Sequence, residues 1–437
     1  MHHEFYQVTT PGVAFGMNSM ERFDMKQGAL SGIRVLDLSR ILAGPWGAQM
    51  LADLGAEVIK VERPGKGDDS RQFGPPFLKD RDGNDTREST FFISANRGKK
   101  SITCDIATPE GQALIRSLAA KCDVLLENYK VGDLKRYGLD YESLKAVNPR
   151  LVYCSITGFG QTGPYSPRPG YDSIFQAMGG LMSITGNGDD VPGGGPMKTG
   201  PSLADIICGQ YAASAIVAAL YRRDAGGAPG GEGQYIDLSL LDSMIAATSH
   251  YASQYLVSGE IPIRRGTEGN GGMPSRMFRC ADRDIMIVAG NNEQYARLCQ
   301  VLGRPELATD PRFAEIALRV RNRRALGDVF EPLIAQWQSN ELLVALDAAG
   351  VPAGPINNLQ QVFADPHVQA RGMCVEATHP LSDDAVRMVA NPVKMSGTPI
   401  DSYTAPPTLG QHTDSVLSEL LEMSPADIGS LRERKII

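Results

Sequence analysis

A chain of 437 residues, 42% of them apolar, is too long for one ordinary domain and can bury sizeable cores in two or three. Its net charge of -7 comes from 43 basic and 50 acidic residues without a Lys/Arg block, which excludes a basic nucleic-acid or membrane surface. Seven scattered cysteines with no C-x-x-C spacing exclude a disulfide framework and a thiolate metal site, and fit a reducing cytoplasm.

In chain order, residues 1–30 lack a charged start followed by a long apolar run and read as a disordered leader rather than a secretory signal. Each of Met17, Met20 and Met25 could be the natural start. A short apolar run, Ile33 to Leu38, predicts a strand; a Gly44-Pro45 break, a helix from about Trp46 to Leu54 and a second run at Glu57 to Val61 complete a β-α-β unit. The pattern returns with a strand at Ser101 to Ile106. A helix opened by Thr108-Pro109-Glu110 follows, with Leu114, Ile115, Leu118 and Ala119 on one face, and strands at Val124 to Leu126 and Leu151 to Ile156. Strands alternating with helices predict an α/β fold, a mostly parallel sheet covered on both faces. No G-x-G-x-x-G follows the first strand, which disfavours a nicotinamide dehydrogenase.

Next comes a glycine-rich turn, Gly158 to Pro164, then Gly170-Tyr171-Asp172 and the helically spaced Ile174, Met178, Leu181 and Met182. Asp172 therefore sits at or beside a helix N-cap, where backbone N–H groups and the helix dipole favour negative charge. A carboxylate so placed can act as a nucleophile, or can simply cap the helix. The longest apolar segment, Leu203 to Tyr221, contains Asp205 and Gln210 and is rich in small residues, which predicts a buried helix rather than a membrane span. A turn at Asp224 to Gly231, a strand at Tyr235 to Leu240 and a helix to about Val257 lead to Gly266 to Gly272, a mobile loop with four glycines in seven residues. From about Arg276 to Val351 a smaller mixed unit is expected, with a strand at Asp284 to Ala289 and helices at Asn292 to Leu302 and Leu318 to Ala325.

Several segments together resemble the class III coenzyme A transferases: Arg34 to Leu38 with Leu42 to Pro45, Leu54 to Glu62, Asn96 to Ser101, Glu127-Asn128-Tyr129, the Gly158 turn, Gly170-Tyr171-Asp172, Gly350 to Asn358, and Leu409 to Thr413. Gly290 to Gln294 and Arg319 to Arg323 resemble the succinyl-CoA:glutarate branch, which moves CoA between dicarboxylates. The resemblance covers essentially everything after residue 30. It implies a Rossmann-like large domain built from both chain ends, a smaller inserted α+β domain and an interlocked homodimer. On this chain the divisions fall at 31–225 for the large CoA-binding domain, 226–275 for a linker and glycine loop, 276–355 for the small domain and 356–437 for the return.

The implied chemistry makes Asp172 the nucleophile, with amides of Gly271 and Gly272 as oxyanion donors; Glu268-Gly269-Asn270 replaces a His-Pro pattern common in that loop. By position in matching motifs, Arg63, Lys99, Lys100 and Arg136 are candidates for CoA phosphate contact, and Leu42, Ala43, Asn128 and Tyr129 for the nucleotide or pantetheine path. Leu42 stands where oxalate-specific relatives carry glutamine. A dicarboxylate needs an arginine for its unreacted end: Arg97, and one of Arg319, Arg321 and Arg323, with Arg321 the choice. The substrates implied are an acyl-CoA and a small carboxylic acid, with no permanently bound cofactor and no metal. The nearest rival, an α-methylacyl-CoA racemase, has histidine where this chain has Tyr171 and a second acid matching Asp205, which here reads as a buried polar or capping group. A non-catalytic CoA-binding protein is the third reading.

Overall fold

The computed structural model describes residues 28–269 and 271–437, so the expected leader, apart from its last three residues, lies outside the described residues. Strands β1 (Arg34–Asp37) and β2 (Glu57–Glu62) are followed by a hairpin, β3 (Phe77–Lys79) and β4 (Asp85–Ser89), and then by β5 (Lys99–Thr103), β6 (Val124–Glu127), β7 (Val152–Thr157) and β8 (Tyr235–Ser239). Six of them form one parallel sheet in the order β5-β2-β1-β6-β7-β8. Its central strands are nearly continuous runs of buried residues, as strands covered by helices on both faces must be. One face packs on the Pro109–Ala119 helix and on Val416, Leu417, Ile428, Ile436 and Ile437 from the chain's end. The other face packs on helices Ala43–Asp53, Leu203–Asp224 and Leu240–Ala247.

Two glycines bring the first of those helices against the second. A Cβ at Gly47 would lie 2.8 Å from the Gly209 carbonyl oxygen, and one at Gly209 would lie 2.6 Å from that of Ala43. This approach sets the Leu203–Asp224 N-terminus beside the loop leaving β1. The long helix is buried along one face only, with Tyr211 and Tyr221 on the exposed side.

A separate core, running from Met273 to Val351, is built on β9 (Ser275–Arg279), β10 (Asp284–Val288) and β11 (Ala353–Pro355), an antiparallel sheet in the order β11-β10-β9. Beyond it, β12 (Cys374–His379) and β13 (Ser382–Val389) pair as a hairpin. Three local expectations need correcting. The Gly44-Pro45 break lies inside the first turn of Ala43–Asp53, where proline is tolerated because its missing N–H has no helical acceptor. The expected Leu318 to Ala325 helix is two helices, Ile316–Arg321 and Arg323–Ile334, meeting at Asn322. The helix expected to reach Val257 breaks at Ser249, whose φ is 50°, into Leu240–Ala247 and His250–Ser258.

Candidate active site

In an open parallel sheet, the crevice lies where strand order reverses, because loops leaving the two neighbouring strands turn to opposite faces. Here that point is between β1 and β6. The two loops are clamped together: Arg40 N–H donates to Asn128 Oδ1 at 2.8 Å, and Asn128 Nδ2 donates to the Arg40 carbonyl at 2.7 Å. A cleft of about 320 Å³ opens above them and brings together Leu42, Ala43, Asn128, Tyr129, Asp172 and Asp205. A second cleft of about 200 Å³ holds Arg63, Arg136 and Lys60, and shares Arg40 and Tyr129 with the first. The two adjoin at Arg40 and Tyr129; the second also carries carboxylates, of which Asp68, Asp69 and Asp133 pair with Lys60, Arg40 and Arg136 and leave Arg63 without an ion pair among the described residues.

Asp172 opens the Asp172–Met178 helix, and the N-cap is Tyr171. The side chain of Asp172 is 8% exposed, whereas Tyr171 is 71% exposed. Asp172 Oδ1 accepts the Ala204 N–H at 2.8 Å, from the first turn of Leu203–Asp224, and Oδ2 accepts from Gln176 Nε2 at 2.7 Å. Gln176 is oriented in turn, since its Oε1 accepts from the Thr199 N–H at 2.9 Å. Each carboxylate oxygen thus has one fixed donor and keeps lone-pair capacity for reaction.

The helix turns inward on Phe175, fully buried, and not on the expected Ile174 and Met178, which are 48% and 46% exposed. Phe175 explains two glycines of the motif. Its ring would lie 2.7 Å from a Cβ at Gly158 and 2.3 Å from one at Gly170. Asp205, on the same cleft, is raised to about 7, first by burial and then by the charge of Asp172. Asp205 lies in the first turn of the Leu203–Asp224 helix and is half-buried at the cleft; the N-cap position is Ser202, so Asp205 does not occupy it.

The structure separates other expected site residues from these two clefts. Lys99 is wholly buried and spends its three donors on Asp37 Oδ2, the Pro45 carbonyl and Asn96 Oδ1, so it is not free for a phosphate. Burial pulls its ammonium down to about 8 despite Asp37. Lys100 pairs with Glu57 at 2.7 Å. Arg97 is held by both oxygens of Asp53 and lines a different cavity, of about 900 Å³, between Ala43–Asp53 and the β12–β13 hairpin. Arg321 is exposed at the end of its helix, and Arg319 is buried against the Met273 and Phe313 carbonyls. Gly271 and Gly272 do not line the Asp172 cleft within one chain; Gly272 packs against Gly290.

Sequence reasoning missed Arg40, whose Nε is buried without a partner while its Nη1 bonds Asp69. It also missed Gln176 and the Ala204 amide. Gln176, four residues after Asp172 on one helix face, was a readable signal. The Ala204 amide was not, because it arrives from 32 residues away.

The sequence profile described as CoA-transferase family III matches residues 30–413. A succinate–glutarate CoA-transferase of Agrobacterium fabrum is 46% identical over 90% of this chain and 95% of its own. A human succinyl-CoA:glutarate CoA-transferase is 41% identical over 93% of this chain and 90% of its own. A crystal structure of a CAIB/BAIF family protein from Brucella suis superposes with a TM-score of 0.79 at 45% identity, covering 90% of this chain and all of that one.

Proposed function

The chain belongs to CoA-transferase family III, and on that premise we propose that it moves coenzyme A from succinyl-CoA to a short dicarboxylate, glutarate foremost, through covalent acylation of Asp172. The observation that carries this is the position of Asp172, held by two donors in a cleft that adjoins a second one bearing Arg40, Arg63 and Arg136. The cations suit the phosphates of CoA. The Asp172 cleft suits pantetheine, and Leu42 and Ala43 supply its apolar wall.

In the proposed sequence, an Asp172 oxygen attacks the thioester carbon, the C–S bond breaks, and a mixed anhydride and CoA thiolate result. The thiolate then attacks the aspartyl carbonyl and displaces succinate, leaving an aspartyl–CoA thioester. An acceptor carboxylate displaces the thiolate again to form the second anhydride, and the thiolate takes the new acyl group, restoring Asp172. No net proton is consumed. At each aspartyl tetrahedral intermediate, the Ala204 N–H and Gln176 Nε2 are placed to receive the developing charge, an effect worth roughly 3 kcal/mol per donor. With its carboxyl raised to about 7, Asp205 carries less than a full negative charge near neutral pH, which limits repulsion of incoming anions.

The racemase reading lacks its base. Tyr171 stands at the histidine position, and no described histidine lines the cleft. We further propose a large domain divided around the inserted small one, and an interlocked homodimer working in the cytoplasm. Support for the dimer comes from the exposed Leu256, Val257 and Ile261, at 80%, 88% and 78%; the glycine loop, which does not line the Asp172 cleft of its own chain, would in this reading serve the second copy's. The test offers a panel of free acids with succinyl-CoA and reads new thioesters by mass spectrometry. Glutaryl-CoA is the expected product; loss of an α-hydrogen label without acyl exchange would sink the reading.

A further inference from the structure

Next to the glycine loop lies a group of arginines whose hydrogen bonding is incomplete. Arg265 Nε and Arg323 Nη1 are both buried and have no hydrogen-bond partner. The neighbouring carboxylate is divided between Arg323 and Arg276: Glu268 stands 3.6 Å from Arg323 Nη1 and 3.4 Å from Arg276 Nη1, both too long for strong bonds. Arg276 also reaches Glu331, at 3.0 Å. Arg265 forms no ion pair among the described residues; it faces Arg323, Glu268 and Tyr251, and burial and the like charge of Arg323 pull its guanidinium down.

The group is held in place before any ligand arrives. Gly266 N–H donates to the Gly186 carbonyl at 2.8 Å, and Arg264 pairs with Asp189, so the segment is tied to the loop that follows the Asp172–Met178 and Leu181–Ile184 helices. On the other side, Arg323 opens its own helix and its Nε donates to the Val320 carbonyl at 3.0 Å. Buried guanidinium donors without acceptors are unfavourable, and a planar carboxylate supplies two acceptors in matching geometry.

We propose that Arg265 and Arg323 bind the carboxylate of the dicarboxylic substrate that does not react, reaching the Asp172 cleft of the second copy together with the glycine loop. This rests on the dicarboxylate reading above. It assigns the discrimination between dicarboxylic and monocarboxylic acids to the linker before the glycine loop together with the small unit, and removes it from Arg97 and Arg321. Because succinyl-CoA also carries a free carboxylate, donor and acceptor use the same pair in turn.

The test compares full-length wild type with Arg265→Gln and Arg323→Gln, using succinyl-CoA and glutarate. Each variant should raise KM for glutarate by about tenfold or more and change kcat by less than about threefold, as loss of a binding contact does. Arg323→Lys should recover part of the affinity and guards against a variant that fails to fold. Arg312→Gln, which removes a surface pair with Asp310, should match wild type. Unchanged KM in both Gln variants overturns the assignment, as does a fall in kcat at constant KM. If wild type exchanges CoA with no dicarboxylate at all, the acceptor reading has failed first and takes this site with it.

Discussion

One carboxylate, Asp172, and two side chains beside it, Gln176 and Asp205, set the chemistry at the smallest scale. Asp172→Asn should lower acyl exchange by at least about 10³-fold while CoA affinity, set in the adjoining cleft, stays unchanged; initial rates and calorimetric CoA titration check it. Gln176→Leu removes the donor that orients Asp172 Oδ2 and strands the Thr199 N–H. It should lower kcat about ten- to a hundredfold, the cost of a misplaced reacting group, at nearly constant KM. Asp205 gives a pH signature. Its carboxyl is raised to about 7 in the fold, by burial and by Asp172, so between its unfolded value and that pH the folded chain holds a proton the unfolded chain has lost. Stability should therefore fall as pH rises from about 4 to about 7, by up to about 1.4 kcal/mol per pH unit for this group. Asp205→Asn should flatten that part of the profile in urea unfolding series; an identical slope in the variant counts against the assignment.

Helix–helix contact, more than any motif, assembles the cleft, because the Ala43–Asp53 and Leu203–Asp224 helices must touch backbone to backbone for the Ala204 N–H to reach Asp172. Gly209→Val should cost about 2 kcal/mol or more in stability, read by thermal shift, and lower turnover with it. The sheet was legible because parallel strands announce themselves as short apolar runs between helices, and β1, β2, β6 and β7 follow such runs. The β3–β4 hairpin was not, since Asp85–Ser89 carries no apolar alternation. The place of Asp172 at a helix start was legible from its glycines; that Leu42, Ala43, Asn128 and Tyr129 line the same cleft as Asp172 only the fold shows. That Lys99, Lys100 and Arg97 are already paired was not legible for one physical reason: a sequence shows a cation but not the carboxylate that neutralises it, and Asp37, Glu57 and Asp53 lie 62, 43 and 44 residues away. Arg40 was hidden in another sense: its Nη1 pairs with Asp69, but its Nε is buried without a partner, which only the fold reveals.

At the scale of the whole molecule, the glycine loop and the arginine pair stand outside the Asp172 cleft of their own chain, and the most exposed apolar side chains among the described residues, Leu256, Val257 and Ile261, lie just before that loop in sequence. Large uncovered apolar surface marks an interface. Light scattering should find a dimer, and joint Leu256→Asp and Val257→Asp replacement should give monomers that retain CoA binding but lose exchange. The most direct test of the central claim is peptide mass analysis of the enzyme mixed with succinyl-CoA and quenched with hydroxylamine, which cleaves an acylated aspartate or aspartyl thioester to a stable hydroxamate. The account predicts that hydroxamate on Asp172 and absent from Asp172→Asn. A hydroxamate on another residue, or none while acyl exchange proceeds at full rate, contradicts it.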